Sequence, residues 1–105
     1  MSTDAVVTQT GPRAARFNLD RPWQLHPQVS VRPERFGALL YHFGTRRLSF
    51  LKSPALLTVV KSLGDAPSAR EACRRAGLTP AELPAYATAL QTLANSQMIR
   101  PREPA

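Results

Sequence analysis

The chain has 105 residues, enough for one domain with a small core and too few for a deep, enclosed active site. Fourteen Lys and Arg against seven Asp and Glu give a net charge of +7, which favours an acidic partner such as nucleic acid, an anionic surface or an acidic peptide. A single cysteine, Cys73, excludes a disulfide framework and a thiolate zinc site, and no run approaches the ~18 apolar residues of a membrane helix.

Residues 1–20 mix Ser, Thr, Gln, Gly, Pro and Arg without a period of 2 or 3.6 and are expected to form a flexible N-terminal arm. The start has no basic stretch followed by a continuous apolar run, so a soluble, cytoplasmic, non-secreted protein is expected. The folded domain is expected over 21–102, with a frayed tail at 103–105. From Trp23 the pattern changes to WQLHPQVSVRP, in which Gln28, Ser30 and Arg32 alternate with Val29 and Val31. This predicts a short first strand, interrupted at Pro27 and stopped by Pro33.

FGALLYHFGTRRLSFLK, from Phe36 to Lys52, reads as a β-hairpin turning at Gly44 and Thr45 in a two-residue type II′ turn. That register pairs Tyr41 with Leu48 and Leu39 with Phe50 on one face, and His42 with Arg47, Leu40 with Ser49 and Ala38 with Leu51 on the other. The face of Leu39, Tyr41, Phe43, Leu48 and Phe50 is expected to meet the core. His42, Arg47 and Ser49 are expected to look outward.

Ser53 and Pro54 then signal a helix start, and Leu56, Leu57, Val60 and Leu63 share one stripe of a first helix ended by Gly64. Ser68 and Glu71 open a second helix with a capping box; Ala69, Ala72, Cys73 and Ala76 face inward, Arg70, Arg74 and Arg75 outward, and Gly77 closes it. Thr79, Pro80 and Glu82 repeat the start signal for a third helix running to Asn95, its regular part beginning near Pro84. Met98 and Ile99 return apolar groups to the core, and PREPA closes the chain as a fraying end. The expected fold is α+β: a three-stranded antiparallel sheet followed by three helices.

Catalysis needs converging polar groups, and two histidines, one cysteine and seven scattered acids form no motif. Cys73 reads as a buried packing thiol, His26 lacks a second metal ligand at ligand spacing, and His42 beside Arg47 reads as solvated. No catalytic residue, metal or cofactor is expected. Twelve of the fourteen basic residues are Arg, which suits bidentate contact with carboxylate or phosphate and equally suits an Arg-rich genome. A winged-helix nucleic-acid reader is the alternative function, but residues 80–97, its recognition helix, contain no Lys or Arg and one Glu, so nucleic acid ranks second. The uncharged middle of the last strand, Leu48 to Leu51, is either covered by the protein itself or open to an added peptide strand, and the two readings weigh about equally on physics alone.

The string RPWQLHPQVSVRPERFGALLYHFGTRRLSFLKSP, with LTPAELPAYATALQTLANSQMI following, resembles the PqqD-like peptide chaperones, the recognition elements of ribosomally made, modified peptides, and within them the mycofactocin-type members. The resemblance covers about Trp23 to Arg102. It implies a winged-helix-like PqqD fold and a non-enzymatic role: the leader of the mycofactocin precursor peptide binds as a strand, and the core peptide is presented to a radical S-adenosylmethionine maturase. The iron-sulfur cluster and S-adenosylmethionine would belong to that enzyme alone. Position by position, the resemblance places the peptide on Arg47, Leu48, Ser49, Phe50 and Leu51, facing Tyr86, Ala89, Leu90 and Leu93. Arg46, Arg47, Arg74 and Arg75 would steer an acidic leader.

Overall fold

Alternating polarity in the strand before the hairpin decides which side of the sheet the helices cover. In the computed structural model, which describes residues 17–102, the elements follow as β1 (Trp23–Leu25), β2 (Val29–Glu34), β3 (Gly37–His42), β4 (Arg47–Leu51), α1 (Pro54–Ser62), α2 (Ala69–Arg75), α3 (Leu83–Asn95) and β5 (Ile99–Pro101). Strands β2, β3 and β4 make an antiparallel sheet in that order, and β1 pairs with β5 in a separate two-stranded ribbon. The expected three-stranded sheet and three helices are present. The single first strand is two: after Pro27 the chain leaves β1 and enters the other sheet as β2. Pro33 does not stop β2 but lies inside it, tolerated because β2 is an edge.

The β3–β4 pairing follows the expected register, from Ala38 opposite Leu51 to His42 opposite Arg47. Its faces are the reverse of the expectation. Ala38, Leu40, His42, Ser49 and Leu51 are buried under the helices, whereas Leu48 and Phe50 are exposed and Leu39 and Tyr41 only half-buried. The third strand supplies the reason: Ser30 and Arg32 of β2 lie opposite Tyr41 and Leu39, while Val29 and Val31 lie opposite His42 and Leu40. Paired residues share a face. One side therefore carries Ser30 and Arg32, and that side goes to water with its aromatic neighbours. The small side chains of Ala38 and Ser49 also leave room for helices over the inner side, where a Phe or Tyr would hold them away.

The turn differs as well. His42 opposite Arg47 closes a four-residue loop, the Arg46 N–H donates to the His42 carbonyl at 2.7 Å, and Arg46 adopts φ +63°. Arg46, not Gly44, takes the left-handed position. Two backbone amides of this loop point at the His42 ring, which makes a wider turn than a two-residue loop allows.

In α1 the Ser53 hydroxyl accepts the Leu56 N–H at 3.1 Å, and Leu56, Val59 and Val60 are buried, continuing into Leu63 of the following 3₁₀ turn. Ser68 caps α2 likewise through the Glu71 N–H, and Ala69, Ala72 and Cys73 are buried as expected. Thr79 and Glu82 form the capping box of a 3₁₀ turn, after which α3 starts at Leu83 with Pro84 in its first turn, where a missing N–H is harmless. Met98 and Ile99 reach the core as expected. Of the closing residues, Pro101 belongs to β5, and the Arg102 guanidinium donates to the carbonyls of Leu63 at 2.8 Å and Ala66 at 2.9 Å, satisfying acceptors at the end of the α1 segment; the tail expected to fray at 103–105 lies outside the described residues. Before β1, Phe17 packs on Trp23 with ring centroids 4.9 Å apart and donates its N–H to Gln91 on α3, so the last four residues of the stretch read as an arm are held. Residues 1–16 lie outside the described residues.

Gly37 is the tightest point between β3 and the exit of β4. Its φ is +151°, and a Cβ there would strike the Leu51 carbonyl oxygen and lie 2.8 Å from the Ser53 nitrogen. Both objections are to backbone, which cannot step aside. Gly37→Ala is expected to lower the free energy of unfolding by ~3 kcal/mol in a denaturant titration, against less than ~1 kcal/mol for Gly64→Ala, where nothing lies near the added methyl.

Candidate functional site

The main-chain groups of the sheet divide by alternation. The Phe43 N–H donates to the Gln28 carbonyl at 2.8 Å, so odd residues of β3 turn their main-chain groups toward β2 and even ones toward β4. Leu51, Ser49 and Arg47, opposite Ala38, Leu40 and His42, bond within the sheet. Leu48 and Phe50, opposite Tyr41 and Leu39, aim theirs at the open edge, and among the described residues no strand lies beyond β4.

The opposite edge is closed by local chemistry. On β2 the outward positions are Val29, Val31 and Pro33; the Val29 N–H donates to the His26 carbonyl at 2.9 Å, and Pro33 has no N–H. Only Val31 offers a donor there, too little for a ladder. Among the described residues the β4 edge offers more unpaired N–H donors to a further strand than the β2 edge does.

Around the β4 edge the residues fall into two sets. Ser49 and Leu51 of β4 and Leu90 and Leu93 of α3 are fully buried, with Ala89 nearly so, so these side chains belong to the core. Arg47 and Tyr86 are half-buried, while Leu48 and Phe50 are exposed. The Ser53 and Tyr86 hydroxyls lie 3.0 Å apart, tying the exit of β4 to the first turns of α3. The exposed or half-buried members of the predicted set are Arg47, Leu48, Phe50 and Tyr86.

The basic residues are not equally placed. Arg74 and Arg75 both bond Glu71, at 2.6 and 3.1 Å, and the Arg74 guanidinium foremost holds the Glu71 carboxyl down to about 2. Arg70 pairs with Asp20 at 2.7 Å. The α2 group is therefore a charge network in which two carboxylates offset two of three cations, whereas Arg46 is exposed at the hairpin turn and Arg47 begins β4.

The two histidines meet at the turn end of the sheet, which the sequence did not suggest. His42 is 2% exposed, not solvated, and its ring lies 4.4 Å from that of His26. Its Nδ1 accepts the Gly44 N–H at 3.0 Å and the Thr45 N–H at 3.1 Å, while His26 Nδ1 accepts the Gln28 N–H at 3.0 Å. A ring nitrogen accepting amide protons is unprotonated, so each neutral ring carries its hydrogen on Nε2, which is then no metal ligand. Among the described residues no group of three or more His, Cys, Asp or Glu is placed to hold a metal ion. Cys73 is buried, and burial pushes its thiol up, away from reactivity. The signal for His42 was present in the sequence: a residue two and three positions before turn amides, whose side chain accepts from both.

Comparison with known proteins falls on the same segment. The model of the family described as peptide chaperone MftB matches residues 22–100. The chain is 56% identical over 95 residues to the peptide chaperone MftB of Mycobacterium ulcerans (strain Agy99), covering 90% of this chain and 87% of that one. It is 56% identical over 104 residues to the protein of that name from Mycobacterium tuberculosis (strain ATCC 25618 / H37Rv), covering 93% and 95%, and 52% identical over 88 residues to that of Mycolicibacterium smegmatis, covering 84% and 86%. No solved structure gives a significant match. No helix among the described residues is long and apolar enough to cross a membrane.

The histidine pair sets a pH dependence. Burial, foremost, lowers the His42 pKa from its ordinary 6.5, and burial followed by His42 and Arg100 lowers that of His26. The unfolded chain therefore takes up protons near 6.5 that the folded chain refuses, so stability is full above that value and declines as pH falls below it. Melting temperatures measured from pH 7.5 to 5 are expected to fall for the native chain. His42→Asn, whose side-chain oxygen can accept the same turn amides without titrating, is expected to flatten that decline.

Proposed function

The chain belongs to the peptide chaperone MftB family, and from that premise we propose that it binds the leader of a ribosomally made precursor peptide as a fourth strand on β4 and presents the rest to a modifying enzyme. A peptide chaperone does no chemistry of its own; its task is to hold an extended chain in one register. The observation that carries the reading is the asymmetry of the sheet: β2 is blunted by Pro33 and His26, and β4 is not.

An added strand takes affinity from the main-chain groups of Leu48 and Phe50 and specificity from side chains that alternate between the two sides of the sheet. Inward-pointing leader residues lie toward the half-buried Tyr86, while Ala89, Leu90 and Leu93 act from the core by holding α3 in place. Register follows from the ladder. Arg46 and Arg47 draw an acidic leader toward the edge, with Arg74 and Arg75 adding the smaller field left after Glu71 is counted; such charges raise association rate more than final affinity. The precursor is read as that of mycofactocin, and the receiving enzyme as a radical S-adenosylmethionine maturase, which would carry the iron-sulfur cluster and S-adenosylmethionine. The chaperone then needs no cofactor.

Proline placed at the outward positions separates edge pairing from folding. Phe50→Pro removes an N–H that points away from β3, so the hairpin ladder survives, whereas Ser49→Pro would break it. Phe50→Pro is expected to weaken precursor binding about tenfold or more in calorimetry, ~1.4 kcal/mol or above, with Arg70→Ala within about twofold of the native chain. A precursor whose leader is N-methylated at alternate amides tests the same bonds from the other side and should lose affinity in one alternation and not the other. Equal, mild losses throughout would remove β4 as the site.

A further inference from the structure

The four large hydrophobic side chains most exposed among the described residues are Phe43 at 57%, Phe36 at 45%, Leu48 at 43% and Phe50 at 37%. All four belong to the hairpin and its entry. Phe50 lies opposite Leu39 and Leu48 opposite Tyr41, on the sheet side away from the helices; Phe36 packs against Phe50 at 6.4 Å and Phe43 against Tyr41 at 5.4 Å between ring centroids. Scattered apolar residues need no explanation, but a contiguous aromatic face on a small domain marks an interaction surface.

Its rim identifies the kind of partner. Between Val29 and Ser53 the sequence has five cations, Arg32, Arg35, Arg46, Arg47 and Lys52, and one acid, Glu34. Glu34 is engaged by Arg32 at 3.0 Å. Arg35 and Lys52 are exposed beside Phe36 and Phe50, and Arg46 is exposed beside the turn that carries Phe43. A second copy would bring cationic rim against cationic rim on a chain of charge +7. Single-stranded nucleic acid stacks on rings that lie flat and open, whereas Tyr41 and Phe43 meet edge to face at 80° and Phe36 and Phe50 are tilted at 56°. The rings pack on one another as they do at protein interfaces.

We propose that this outer face, formed by Phe36, Leu39, Tyr41, Phe43, Leu48 and Phe50, is a docking surface for a folded protein whose own patch is apolar at its centre and rich in carboxylates at its rim. Resting on the strand-addition reading above, that partner is the enzyme that receives the peptide. The two sites are continuous: a strand added at β4 turns every second side chain to this same outer face, so the enzyme meets chaperone and bound leader as one sheet. The inner side chains of the leader remain with the chaperone.

The test uses the full chain, the precursor peptide and the purified enzyme. The double substitution Phe36→Ser with Phe43→Ser lies off the β4 edge and outside the buried core, and its melting temperature serves as the folding control. It is expected to keep peptide affinity within about threefold and to weaken enzyme binding about tenfold or more. Arg46→Glu with Lys52→Glu is expected to slow enzyme association several-fold and to reduce its dependence on salt. Enzyme binding that is indifferent to both double substitutions, while the peptide still binds, overturns the docking face and leaves strand addition standing. Absence of peptide binding to the native chain overturns strand addition instead. A native dimer that light scattering shows dissolving on Phe36→Ser with Phe43→Ser, or a labelled single-stranded oligonucleotide released by it, would assign the face to another occupant and overturn the proposal.

Discussion

Three helices can cover only one side of a three-stranded sheet, and this sheet is apolar on both. On the inner side Ala38, Leu40 and Leu51 are buried completely. Among the described residues nothing covers the outer side, whose Phe36, Phe43, Leu48 and Phe50 stay exposed. The spacing of the helices depends on which side was buried. Small residues on β3 and β4 let α1 lie close to the sheet, and Gly37 lets the exit of β4 pass against the start of β3 with no side chain between them. Had the aromatic side been buried, the helices would stand further off.

The edges obey a second asymmetry of the same origin. Pro27 breaks the first strand, and the short segment between β1 and β2 bends so that the His26 carbonyl takes the Val29 N–H. With Pro33 further along, β2 keeps a single outward N–H, that of Val31, to offer a further strand. The β4 edge has no such device; its charged ends, Arg47 and Lys52, flank an uncharged middle. A protein under pressure only to avoid aggregation would guard both edges. Guarding one edge and leaving the other unblunted is compatible with the strand addition proposed for this peptide chaperone family member.

Much of this was legible from the residues. Helix starts at Ser53, Ser68 and Thr79 were readable because capping is local: a hydroxyl and an amide three residues on are neighbours in any helix. The hairpin register was readable because period-2 alternation permits few pairings that keep both turn and partners. The buried face was not legible in the hairpin because both of its faces are apolar, and the polarity of Ser30 and Arg32 bears on it only once β2 is paired with β3. The same holds for His42, since its face follows from the sheet's. Arg102 was invisible because its carbonyl partners, at Leu63 and Ala66, lie more than thirty residues away.

The sequence by itself determined the elements, their order, the pairing within the hairpin, the small-residue character of α2 and, through more than half identity to known chaperones, the family. These depend on interactions among near neighbours or on the whole string at once. Tertiary structure alone decided which face met the helices, that β1 leaves the main sheet for β5, that Arg70 of α2 is tied to Asp20, and that the aromatic side of FGALLYHFGTRRLSFLK is a surface. Each of those outcomes is a competition between partners distant in sequence, settled by volume and hydrogen bonding in three dimensions, and no local pattern carries the result.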